Sequence, residues 1–241
     1  MTKNGIMSFD IQDQFGILSI DNGSQNKIDN ANFIDLEVLK KWIKDNNFKG
    51  LIITGKGRHF SAGANFDNIV SLKNNIDELK SALEKGHEIL SFIEQLDIPT
   101  VAAISGICFG GGLEIALSCH FRVCGENGIL AFPESTIGIM PGLGGTVKLP
   151  KIVGRSKALE IILSGGSINA DEAKGIGLVD ILCEKKKELE VSVDFLKKLT
   201  ENKPIEIINS IIKSINHSMT NDLSSSLKYE LDLFSKRVEK L

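Results

Sequence analysis

Three times along this chain an apolar run short enough to be one strand ends at a corner rich in small residues. The first corner is His59-Phe60-Ser61-Ala62-Gly63-Ala64-Asn65, after the run at 51–54. The second is Gly106-Ile107-Cys108-Phe109-Gly110-Gly111-Gly112-Leu113-Glu114, after the run at 100–104. The third is Phe132-Pro133-Glu134-Ser135, leading to Pro141-Gly142-Leu143-Gly144-Gly145-Thr146. Glycine lets backbone turn sharply and approach a ligand without side-chain obstruction. Helical spacing between the corners, as in Ile76, Leu79, Leu83, Leu90 and Ile93, makes the chain an alternating α/β one.

The second corner places chemistry on a helix start. The first N–H groups of a helix have no internal partner, and the dipole there favours negative charge. The Gly111 N–H can therefore meet an oxyanion, and Glu114 lies on the same face of that first turn. The first corner has the same character at Ala64. Two N–H groups converging on one oxygen form an oxyanion hole, in which one donor is worth roughly 3–4 kcal/mol. Each piece alone also has a simpler reading. Glycine clusters mark turns, a first-turn glutamate serves the dipole, and Phe-Pro-Glu fits a surface turn. The glycines at 106–112 do not form GxGxxG, and no Gly-Lys-Ser/Thr occurs, so dinucleotide and P-loop readings fall away.

Elsewhere, strands are expected at 15–20, 51–55, 100–104, 121–124 and 129–132. Helices are expected over 33–43, 76–93, 113–118, 156–163, 170–175, 188–200, 205–216 and 222–240. With 241 residues, 42% of them apolar, the chain can bury a large core. A net charge of −3 with interspersed signs offers no grip on nucleic acid or an anionic membrane. No run of 18 apolar residues predicts a membrane span. The start, Met1-Thr2-Lys3-Asn4-Gly5, has no apolar stretch behind it, so a cytoplasmic location is expected. The cysteines at 108, 119, 124 and 183 lack metal-site or disulfide spacing and are expected to be free thiols, with no metal bound.

Taken together, the corners resemble the crotonase (enoyl-CoA hydratase/isomerase) superfamily, over residues 50–180. The motifs that carry the resemblance include Phe60-Ser61-Ala62-Gly63-Ala64, Ile98-Pro99-Thr100-Val101-Ala102-Ala103, Gly110-Gly111-Gly112-Leu113-Glu114 and Phe132-Pro133-Glu134. Gly144-Gly145-Thr146 and Gly177-Leu178-Val179-Asp180 complete the order. The resemblance implies a spiral of ββα units, residues 1–197, and a C-terminal helical trimerisation part, residues 198–241, shortened relative to the family. It implies an oxyanion hole from the Ala64 and Gly111 amides. The catalytic carboxyls would be Glu114, acting on water, and Glu134, acting at C2. Ala62, Gly63, Asn65, Phe66, Gly110, Pro133 and Gly142 would line the substrate site.

The activity implied is a lyase of fatty acid metabolism. It would hydrate a 2-enoyl-CoA to a 3-hydroxyacyl-CoA, or run the reverse dehydration, with the coenzyme A thioester as substrate and no resident cofactor. The alternatives are enoyl-CoA isomerisation and dehydration of carrier-protein-bound acyl groups. A homotrimer or hexamer is implied, with Ile207, Ile208, Ile211, Ile212 and Ile215 suited either to intersubunit burial or to plain core. The sequence departs from the family at Asn65 and His120, both positions where aspartate is common. Neither is read as catalytic, and His120 is expected to be structural. His59 is expected either to meet a CoA phosphate or to sit in a solvated loop.

Overall fold

A computed structural model describes residues 2–240. Its main sheet has seven strands, hydrogen-bonded in the order β1 (Thr2–Asn4), β2 (Met7–Gln12), β3 (Phe15–Ile20), β4 (Gly50–Gly55), β5 (Thr100–Ile104), β7 (Phe121–Gly125) and β10 (Ile181–Cys183). The first three strands pair antiparallel and the others parallel. A second sheet holds β6 (Ile107–Phe109), β8 (Ile129–Ala131) and β9 (Ser167–Asn169).

The central strands are apolar at consecutive positions because both their faces are covered. Leu51, Ile53, Ala102 and Ile104 point into the larger core. Ile52, Val101, Ala103 and Val123 alternate with them and meet Val193 and Leu196 of α8 (Glu188–Thr200). Each Leu, Ile or Val side chain buried in this way contributes about 1.5–3 kcal/mol.

The chain advances by repeating one step. From β5 it drops to β6 in the small sheet and enters α4 (Gly111–Leu117). From β7 it drops to β8 and enters a 3₁₀ turn (Pro133–Ile137), then α5 (Gly145–Val153) and α6 (Arg155–Ser164). The pass after β4 is similar, but a single Ser61–Cys108 bridge replaces the small-sheet strand. It continues into α2 (Phe66–Ser71) and α3 (Ile76–Glu94). This is the spiral of ββα units expected from the sequence. After β9, α7 (Ala170–Gly175) leads into β10.

Buried Arg122 ties these passes together. Its Nε donates to Leu178 O at 2.7 Å, Nη1 to Cys119 O at 2.9 Å, and Nη2 to Asp180 Oδ2 at 3.0 Å. A buried charge persists where it is paired and hydrogen-bonded in this way. His120 is structural, as expected: its Nδ1 accepts from Thr100 N at 3.1 Å, and its own N–H donates to Thr100 Oγ1 at 2.8 Å. Two helices, α9 (Ile205–Ser218) and α10 (Leu223–Val238), finish the chain and pack on each other. No helix among the described residues is long and apolar enough to cross a membrane.

Candidate active site

The first corner uses up its backbone donors on either side of one residue. Ala62 N donates to Gln25 O at 2.9 Å, Gly63 N to Ser61 Oγ at 3.1 Å, and Asn65 N to Ile28 O at 2.9 Å. Ala64 N, between them, meets no acceptor among the described residues. The second corner repeats this. Gly110 N donates to Ala131 O at 2.9 Å, whereas Gly111 N, opening α4, meets none. The two free amides are neighbours: a Cβ built on Gly111 would lie 3.7 Å from the Ala64 nitrogen. Gly63 permits the approach. Its φ is +87°, and a Cβ there would stand 2.8 Å from Phe109 O.

Glu114, in the first turn of α4, is 2% exposed. Its Oε1 accepts from Leu143 N and Gly145 N, each at 2.7 Å. Burial pushes the carboxyl up from 4.5 to about 7. The two amide bonds and Lys148 oppose that rise, and the charge of Glu134 adds to it. Glu134, on the 3₁₀ turn, is also raised by burial, against a bond from its own backbone. Its Oε2 is buried without a hydrogen-bond partner. Gly110, at φ +48°, makes room for this side chain, since a Cβ there would run into Glu134 Oε1.

These groups face one cavity of about 660 Å³. Its lining includes every expected site residue: Ala62, Gly63, Ala64, Asn65, Phe66, Gly110, Gly111, Glu114, Pro133, Glu134 and Gly142. Apolar walls come from Ile69, Leu72, Leu79, Leu83, Ile137, Ile139 and Met140. The volume falls in the range of about 300–1,000 Å³ typical of small-molecule sites. A second cavity, about 650 Å³, lies among Asp13, Phe15, Lys49, Lys197 and Thr200 and includes none of these residues. No group of three or more His, Cys, Asp or Glu among the described residues is arranged to hold a metal ion.

Chemically, two adjacent unclaimed N–H groups can hold one oxyanion, and the buried Glu114 and half-buried Glu134 carboxyls beside them can exchange protons with a bound molecule. Of the two sequence departures, His120 is the structural residue described above, and Asn65 faces a carboxylate. Asn65 donates its amide to Asp29 Oδ1 at 3.1 Å, and Asn22 donates to Oδ2 at 2.7 Å. Asp29 thus supplies a carboxylate next to the position where relatives often carry one. His59 is tied to the backbone of the second corner. Its partly buried ring accepts from Ile107 N at 3.1 Å through Nδ1, and burial lowers its pKa.

Sequence reasoning missed the second role of the 141–145 segment, which supplies both donors to Glu114. It also missed His87, whose Nε2 meets Gly142 O at 2.8 Å. Glycine clustering was the signal for the turn, but nothing in the spacing pointed to its partner 29 residues upstream.

The family model described as enoyl-CoA hydratase/isomerase matches residues 16–241. This chain belongs to the enoyl-CoA hydratase/isomerase family. It is 36% identical over 230 residues to a probable enoyl-CoA hydratase of Bacillus subtilis, covering 94% of this chain and 88% of that protein. It is 39% identical over 193 residues to the fatty acid oxidation complex subunit alpha of Shewanella frigidimarina. That match covers 78% of this chain but only 27% of the subunit. Among solved members, the enoyl-CoA hydratase of Bacillus anthracis superposes with a TM-score of 0.87 at 29% identity, covering 97% of this chain and 91% of that one. The enoyl-CoA hydratase of Polaromonas sp. JS666 gives 0.89 at 25% identity, with coverage of 96% and 91%.

Proposed function

We propose that this enzyme adds water across the C2–C3 double bond of a 2-enoyl-CoA thioester, or runs the reverse elimination from a 3-hydroxyacyl-CoA. The observation that carries this is the meeting, in one cavity, of two unclaimed amides with one buried and one half-buried carboxyl. The thioester oxygen accepts from Ala64 N and Gly111 N. As water attacks C3, charge moves onto that oxygen, and fixed N–H dipoles stabilise it there without having to reorganise.

Glu114, ionised, takes the water proton while the hydroxyl bonds to C3. Glu134 gives its proton to C2. One proton enters the pair and one leaves it, so Glu114 ends protonated and Glu134 ionised. The proton returns to Glu134 before the next turnover. The two amides on Glu114 Oε1 favour its ionised form and leave its other oxygen for water. The unpartnered Oε2 of Glu134 offers a place for the acidic proton.

Double-bond migration needs only one carboxyl as proton carrier, so the second carboxyl in the cavity favours hydration. Purified enzyme is expected to hydrate crotonyl-CoA, with Glu114→Gln and Glu134→Gln each slowing it by about 10²-fold or more. A double variant that hydrates at the parental rate contradicts the proposal. Faster turnover of a 3-enoyl-CoA, or of the same acyl group on a carrier-protein phosphopantetheine arm, would replace it with isomerisation or carrier-bound dehydration.

A further inference from the structure

The amides that orient Glu114 belong to Leu143 and Gly145 and flank Gly144. The first turn of α5 brings Lys148 against this segment: a Cβ built on Gly144 would lie 3.1 Å from Lys148 Cε. Only 13% of the Lys148 side chain is exposed, and its Nζ is ion-paired with Glu94 Oε2 at the last residue of α3. Glu94 is itself anchored. Its carbonyl oxygen accepts from Asn216 Nδ2 at 3.5 Å and lies 3.2 Å from His120 Nε2. Because His120 Nδ1 accepts from Thr100 N, Nε2 carries the proton and is the donor. An exposed Lys–Glu pair contributes little. Here Glu94 is half exposed, but the lysine is nearly enclosed and sits within one turn of the donors that hold a buried carboxyl.

We propose that Lys148, clamped by Glu94, is a positioning residue for Glu114. Its stem props the 143–145 segment so that two N–H groups aim at Oε1, and its charge favours the ionised carboxylate. The charged groups that act on Glu114 are Glu134, which opposes ionisation, and Lys148, which supports it. On α3, Glu94 is engaged with Lys148 and His87 with the Gly142 carbonyl. The 61–65 corner carries no charge. Lys148 does not line the cavity, so it acts through Glu114 and not on substrate.

The test is the pH dependence of kcat/KM for crotonyl-CoA, and this readout rests on the hydration proposed above. In Lys148→Met the acid limb is expected to move up by about one pH unit, costing roughly tenfold at low pH and little at high pH. KM should move less than about twofold, and Lys148→Arg should restore the parental profile. A profile that superimposes on the parental one, or a loss equal at every pH, overturns the proposal. If Lys148→Met alone does not fold, Glu94→Gln with Lys148→Met removes the pair without leaving an orphan charge. If the parental protein hydrates no 2-enoyl-CoA, hydration is not its activity. Carboxyl-¹³C NMR titration, with Glu114 assigned through Glu114→Gln, then decides the point, and the same Glu114 midpoint with and without Lys148 contradicts the role.

Discussion

Glu114 is kept at a cost to the fold. Its carboxyl is raised from 4.5 to about 7, chiefly by burial. Below pH 4.5 it is protonated both in the folded protein and in the unfolded chain, and nothing is lost. As pH rises, the unfolded chain releases the proton first, so stability declines until the folded carboxyl ionises near 7. The full cost is about 3 kcal/mol. Gln at this position stays neutral and still offers an oxygen to Leu143 N and Gly145 N. Glu114→Gln is therefore predicted to raise Tm by several degrees at about pH 8 and to leave it nearly unchanged at about pH 4.5. Scanning calorimetry at both values checks this, and an equal shift at both pH values contradicts it. Sequence reading could name Glu114 from its place after Gly110-Gly111-Gly112. It could not see that Asn65 leans on Asp29, because that partner lies 36 residues away and follows no periodicity.

At the scale of elements, most helices and the central strands were readable, whereas β2 and most of the three-residue strands were not. The patterns at 76–93, 170–175 and 188–200 became α3, α7 and α8 nearly as drawn. Strands β1, β6, β9 and β10 have three residues each, too few for alternation to register. Helix α5 was hidden because it opens on glycine and contains Pro150, which removes one internal donor. The isoleucine face of α9 proves divided: Ile208 is buried, whereas Ile211 and Ile215 are more than half exposed in the single chain. Helix α10 adds Leu223, Leu227, Leu231 and Phe234 on one exposed stripe. We propose that these exposed apolar residues are covered by a partner subunit in a homotrimer or hexamer. Light scattering coupled to size exclusion should give that mass for the parent and a smaller one for Leu227→Lys with Phe234→Lys. A monomeric parent, or an unchanged variant, rules this out.

For the molecule as a whole, the cavity draws on segments around residues 28, 64, 83, 111, 134 and 143. Their convergence follows from the ββα spiral, which stacks successive corners at one end of the sheets. Composition and periodicity announced the corners one at a time; only their shared order, matched to a family, placed them around one site. The separation of Ala64 N from Gly111 N depends on Gly63 and Gly110 adopting positive φ, a backbone fact that glycine permits but does not announce. The most direct measurement is a crystal structure with a 3-ketoacyl-CoA, which occupies the site without being hydrated. The thioester oxygen is predicted to lie about 2.7–3.1 Å from both Ala64 N and Gly111 N, with the Glu114 and Glu134 carboxyls beside C3 and C2. An oxygen held by only one of these amides, or by neither, would contradict the account.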